Sequence, residues 1–128
     1  MEEQLIRVGI THGDINGIGY EVILKTLSDT RIAELCTPII YGSSKVAAYH
    51  RKALELPAIN LNTIANADDA GENRVNIINC VDDEIKVELS HSTSDAGVAA
   101  YQALEAVVSD LKSGTVDVLV TAPINKHN

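Results

Sequence analysis

The sequence contains no Phe and no Trp, and Tyr occurs only four times. Platforms for stacking bases or sugars are therefore scarce, which argues against single-stranded nucleic acid and carbohydrate ligands. Positive charge is also short. Ten Lys and Arg stand against eighteen Asp and Glu, a formal net charge of -8. A phosphate backbone needs the opposite sign, so no nucleic-acid partner is expected. Two cysteines, Cys36 and Cys80, are too few and too far apart for a disulfide framework or a zinc knuckle. They read as half-buried thiols in a reducing compartment. No apolar run approaches the roughly 20 residues needed to span a bilayer. The acidic start Met1-Glu2-Glu3-Gln4 does not resemble a signal peptide. The expectation is a cytoplasmic protein with no membrane partner. His12, His50, His91 and His127 show no metal-ligand spacing. Neither a Gly-x-Ser-x-Gly elbow nor a Cys–His arrangement is present, which argues against nucleophilic hydrolysis.

What remains is aliphatic. Across 128 residues, 45% are hydrophobic, enough for one domain with a core of Val, Ile, Leu and Ala. Leu5 to Ile10, Pro38 to Gly42 and Asp117 to Thr121 are short apolar runs that read as buried strands. Ile59 to Ile64, Arg74 to Cys80 and Ile85 to Leu89 are weaker strand signals, the last one alternating like an edge strand. Between them lie helical patterns. Ile18, Val22, Ile23 and Leu27 recur at helical spacing. Ser43 or Ser44 caps a second helix, with Val46, Ala47, Leu54 and Tyr49 toward the core and Pro57 as its stop. His50, beside Arg51 and Lys52, reads as part of a solvated face. Ser92, Thr93 or Ser94 caps a third helix. Its stripe Val98, Tyr101, Leu104, Val107, Val108 and Leu111 reads as the buried face, and Gly114 as its left-handed stop. Apolar strands alternating with helices predict an α/β fold, a mostly parallel sheet with helices on both faces.

Ligands of such sheets bind beyond the carboxyl ends of the strands. Two loops there are unusual. The first, Thr11 to Glu21, carries glycines at 13, 17 and 19. It is neither the dinucleotide fingerprint nor a P-loop. Its glycines allow close backbone approach, and the following helix offers free N–H groups. A strand-to-helix turn that needs glycine for its own geometry explains it as well. The second loop, Thr121-Ala122-Pro123-Ile124-Asn125-Lys126, offers an amide and an ammonium that suit a phosphate or carboxylate, or a polarised carbonyl. A solvated loop with a surface Lys is the plainer reading. Asp82-Asp83-Glu84 reads as a solvated acidic turn.

Together the loops are more specific. The stretch ITHGDINGIGYE, Ile10 to Glu21, resembles the motif T-x-G-D-P-A-G-I-G-P-E of the 4-hydroxythreonine-4-phosphate dehydrogenase family. VLVTAPINK, Val118 to Lys126, resembles that family's T-A-P-I-N-K segment, and the likeness runs over essentially the whole chain. Ile15-Asn16 stand where the family usually has Pro-Ala, and Tyr20 where it has Pro. The resemblance implies an isocitrate and isopropylmalate dehydrogenase-like fold, present here incompletely. It implies NAD-dependent oxidation, with decarboxylation, of 4-phosphohydroxy-L-threonine in vitamin B6 biosynthesis. It also implies a homodimer with a divalent metal held by histidines in a shared cleft. Those ligands are expected downstream of Asn128, since His127 matches none of them. Carried over by position, Gly13, Asp14, Gly17, Gly19 and Glu21 match the first motif. Of these, Gly13, Asp14, Gly17 and Gly19 are the cofactor-binding candidates. Thr121, Pro123, Asn125 and Lys126 match the second and are the substrate-cleft candidates. None is assigned as the hydride-transfer base.

Residues 1–128 are thus expected to be the N-terminal α/β portion of a larger dehydrogenase, inactive alone, with apolar surface for the remainder to cover. The alternatives are a related dehydrogenase of threonate or erythronate phosphate, a non-catalytic module binding an anionic metabolite, and a purely structural domain.

Overall fold

A computed structural model describes residues 5–56, 59–81, 87–88 and 91–123. The chain runs β1 (Arg7–Thr11), α1 (Gly19–Leu27), α2 (Ile32–Leu35), β2 (Thr37–Gly42), α3 (Ser44–Ala53), β3 (Leu61–Ile64), a single 3-10 turn (Ala67–Asp69), β4 (Val75–Asn79), α4 (Ser94–Ser113) and β5 (Val118–Thr121). The strands form one parallel sheet in the order β3-β4-β2-β1-β5. The short helix α2 has no counterpart in the sequence reading.

The all-buried β2 explains the architecture. Every residue from Thr37 to Gly42 is buried, because both faces of this central strand are covered. On one face Ile40 and Ile77 pack with Ile23, Leu24 and Leu27 of α1 and with Val46 and Ala47 of α3. On the other, Ile39, Tyr41 and Ile78 pack with Ala103 and Val107 of α4. Each fully buried Ile contributes about 2–3 kcal/mol relative to an exposed one. Buried Asn76 in β4 is compatible with this core because its amide is bonded to Asn62, Gly71 and the Pro38 carbonyl, at 2.9–3.1 Å.

Several expected faces are rotated or exposed. Helix α4 buries Ala96, Ala99, Ala103 and Val107, while Val98, Tyr101, Leu104 and Leu111 are exposed. The small residues win because α4 lies so close to β1 that a Cβ on Gly9 would run into Val107. Ile18 and Val22 of the first pattern are exposed, as are Tyr49 and Leu54 of the second. The buried β5 of the sequence reading is an edge strand instead, with Val118 and Val120 exposed. Helix ends follow the sequence more closely. Ser43 Oγ accepts the Val46 N–H, Thr93 Oγ1 accepts the Ala96 N–H, and Gly114 takes φ 84°. Helix α3 ends at Ala53 and turns through left-handed Glu55 (φ 53°), while Pro57 lies outside the described residues. So do Asp82-Asp83-Glu84 and most of the strand expected over Ile85 to Leu89. Both cysteines are free and half-buried. No helix among the described residues is long and apolar enough to cross a membrane.

Candidate functional site

The chain order of the strands creates a switch point. From β1 the chain moves outward through α1 to β2, and later returns through α4 to place β5 on the other side of β1. The loops leaving β1 and β5 therefore part in different directions from adjacent carboxyl ends, where α/β sheets hold ligands. These are the two motif loops. They touch: Asp14 N–H donates to the Pro123 carbonyl at 2.9 Å, and Ala122 N–H to the Thr11 carbonyl at 3.1 Å.

The first loop divides into an inward and an outward side. Inward go His12, Ile15 and Asn16, with Tyr20 of α1, all at 2% exposure or less. Tyr20 Oη accepts the Ser43 N–H at 2.9 Å and meets His12 Nδ1 at 3.0 Å. His12 Nε2 meets the Ala99 carbonyl of α4 at 2.9 Å. His50 of α3 reaches the Ile15 carbonyl through Nε2, and its ring stacks on Tyr20. Asn16 donates to the His91 carbonyl and Thr93 Oγ1, both at 3.1 Å, and accepts the Glu88 N–H at 2.7 Å. A carbonyl only accepts, so each neutral imidazole carries its proton on Nε2. Burial holds the pKa of His12 below the ordinary value, with the Ala99 carbonyl opposing and His50 adding to the fall. Burial lowers that of His50 too, opposed by the Ile15 carbonyl, Asp14 and Glu21. Burial raises the Tyr20 pKa, so its hydroxyl stays protonated.

Outward remain Asp14, Gly17 and Ile18. Asp14 Oδ1 accepts the Asn16 N–H at 3.0 Å, and Oδ2 lies 3.2 Å from where a Cβ on Gly17 would stand. Gly17 thus leaves room for the carboxylate to fold back over the turn. Glu21, in the first turn of α1, pairs with Lys25 at 2.8 Å. A carboxylate at the mouth of this loop suits a hydroxyl or ammonium donor and repels phosphate.

The glycines separate by cause. Gly13 has φ 67°, and a Cβ there would run into the Pro123 and Ala122 carbonyls. A Cβ on Gly19 would run into the His12 carbonyl. Packing of the second loop against the first therefore requires Gly13, and the first loop's own turn requires Gly19, whether or not a ligand is present. Thr121 and Pro123 stand exposed at the end of β5. With Val22, Ile23, Val120 and Ala122 they line a mostly apolar groove of about 150 Å³ between β5 and α1. Asn125, Lys126 and His127 lie outside the described residues. Among the described residues no group of three or more His, Cys, Asp or Glu is placed to hold a metal ion.

The sequence model of the family described as pyridoxal phosphate biosynthetic protein PdxA matches residues 34–128. The chain belongs to this family. A 4-hydroxythreonine-4-phosphate dehydrogenase of Bacteroides thetaiotaomicron is 61% identical over 127 residues, covering 99% of this chain and 35% of the relative. A Clostridium botulinum protein named as a candidate D-threonate 4-phosphate dehydrogenase is 33% identical, covering 94% of this chain and 37% of its own length. The crystal structure of a 4-hydroxythreonine-4-phosphate dehydrogenase from Burkholderia phymatum superposes with a TM-score of 0.85 at 28% identity, over 98% of this chain and 38% of that one. This PdxA-family chain thus spans about a third of the length of these relatives. The α/β parallel fold read from the strand–helix alternation is the fold of the family.

Sequence reasoning missed the inward network of this PdxA-family loop. His50 was assigned to a solvated face, yet it is 1% exposed. The available signal was the set of departures from the family motif. Ile15, Asn16 and Tyr20, which replace Pro-Ala and Pro, are all buried and tied into the network.

Proposed function

We propose that this chain is the α/β portion of a longer NAD-dependent dehydrogenase. That enzyme oxidises and decarboxylates 4-phosphohydroxy-L-threonine in vitamin B6 biosynthesis. The observation that carries this reading is the contact between the two motif loops at the β1/β5 switch point, in a chain 61% identical to a relative of that name. NAD, when bound, would supply the acceptor for the hydride of the substrate carbinol carbon. The chain's own residues bind and orient. Asp14 accepts a hydrogen bond from a cofactor hydroxyl, Gly17 keeps that carboxylate accessible on the cofactor side, and Thr121 and Pro123 border the substrate end. By their place in the second motif, Asn125 and Lys126 are the further candidates for that end, an ammonium such as that of Lys126 suiting the substrate's anionic group. The described residues offer no ligand set for a divalent metal. Its histidine ligands and the rest of the cleft belong to the remaining length of the protein, and the full-length enzyme is a homodimer. A cytoplasmic location is part of the same reading.

A second reading has a specific observation behind it. The Clostridium botulinum relative is named for D-threonate 4-phosphate, and both substrates are phosphorylated β-hydroxy acids. The full-length protein, assayed for NAD reduction with each substrate in parallel, separates the two. The expected result is turnover of 4-phosphohydroxy-L-threonine, lowered about 10²-fold in kcat/KM by Asp14→Ala. Turnover of D-threonate 4-phosphate alone moves the assignment to the second reading. Wild-type rates in both Asp14→Ala and Lys126→Ala sink the site assignment.

A further inference from the structure

We propose that Tyr20 and His12 are positioning residues for the cofactor-facing side of the loop leaving β1, acting through a single directed chain of hydrogen bonds. This rests on the function proposed above, in which Asp14 and Gly17 face the cofactor. The direction of the chain follows from its ends. Ser43 N–H can only donate, and the Ala99 carbonyl can only accept. Between them the order is Ser43 N–H to Tyr20 Oη (2.9 Å), Tyr20 O–H to His12 Nδ1 (3.0 Å), and His12 Nε2–H to the Ala99 carbonyl (2.9 Å). The Ser43 carbonyl, at 3.3 Å, is the longer alternative for the same hydroxyl proton.

This chain joins the start of α3, the start of α1, the end of β1 and the body of α4. The loop therefore cannot shift without breaking a buried bond to one of its neighbours. Gly42 makes the arrangement possible, since a Cβ there would collide with Tyr20 Oη and come within 2.7 Å of His12 Nδ1. Asp14 sits two residues beyond His12 and Gly17 three before Tyr20, so both outward groups are carried on a segment fixed at its two ends. Misplacement of such a segment loosens the contacts it makes to the cofactor, a loss of binding that is read in the KM for NAD.

The test is Tyr20→Phe in the full-length protein. The substitution keeps the ring and its stacking on His50 and removes the hydroxyl alone. The expected result is a KM for NAD raised about tenfold, with kcat and the KM for the phosphorylated substrate within about twofold of wild type. A structural role alone would lower the Tm and leave the KM for NAD unchanged in the folded enzyme, and that result overturns the proposal. If Tyr20→Phe does not fold, His12→Gln is read in the same way, because it keeps a donor for Ala99 and loses the Nδ1 acceptor. If the wild type reduces no NAD, the proposed function fails by itself, and amide hydrogen exchange then decides the positioning role. Exchange at Gly17 and Ile18 should accelerate about tenfold in the variant relative to Ile40 and Ile77. Unchanged exchange overturns the positioning role.

Discussion

The two loops that meet at the switch point are anchored in different ways. The loop leaving β1 is held from within, by His12, Asn16 and Tyr20 bonded to α3, α4 and the segment before α4. The loop leaving β5 follows an edge strand whose Val118 and Val120 are 44% and 47% exposed. One side of the candidate site is tied into the core, while the other borders exposed apolar surface. Buried hydrogen bonds to three neighbours fix the β1 side, whereas the described part of the β5 side is held by its strand pairing and its two bonds to the β1 side.

The comparison breaks most sharply at Gly42. Gly42→Ala should lower stability by about 2–3 kcal/mol in urea denaturation, because the added methyl meets Tyr20 and His12 inside a packed interior. A cost below about 0.5 kcal/mol would mean that the inward network is loose. Asn16→Ala should cost about 1–3 kcal/mol, since it strands the Glu88 N–H and removes two acceptors' partner. A titration sharpens the same contrast. His12 and His50 both have pKa values lowered by burial, so below about 6.5 the unfolded chain binds more protons than the folded one. The titratable groups facing them are Tyr20, Tyr49, Asp14, Glu21 and each other, and the two carboxylates only partly offset the burial of His50. Stability should be full above pH 6.5 and fall as the pH drops toward the lowered values. His50→Gln should flatten part of that slope. The smallest effect belongs to β5, where Val120→Thr on the exposed edge should change stability by no more than about 0.5 kcal/mol.

The fold was legible because parallel strands buried on both faces read as continuous apolar runs. Pro38 to Gly42 is such a run, and β2 is the central, wholly buried strand. The helix ends were legible to within about a residue because caps obey local rules. Of the alternatives Ser43 or Ser44 and Ser92, Thr93 or Ser94, the structure uses Ser43 and Thr93, and Gly114 is the left-handed stop. Helix faces were less so. The large residues of α4, Tyr101 and Leu104, drew the eye to the wrong side, because hydrophobic periodicity does not report how near a helix lies to its sheet. Gly9 in β1 was the hidden clue, since a strand without a Cβ invites a helix with Ala at the contact. At the site, the positions of both loops were legible from sequence order. Gly13 and Gly19 were not separable from Gly17, because a glycine required by packing and a glycine required by a ligand look alike until the neighbouring carbonyls are placed. His50 was misread because its partner, the Ile15 carbonyl, lies 35 residues away in sequence.

The most direct test of a site at the β1/β5 switch point is hydrogen exchange on the full-length protein, with and without saturating NAD and substrate. The account predicts added protection over residues 13–21 and 118–123. It also predicts no change around the cavity of about 320 Å³ at the opposite end of the sheet, lined by Leu27, Asn60 and Arg74. Protection at that opposite cavity, with residues 13–21 unchanged, would contradict it.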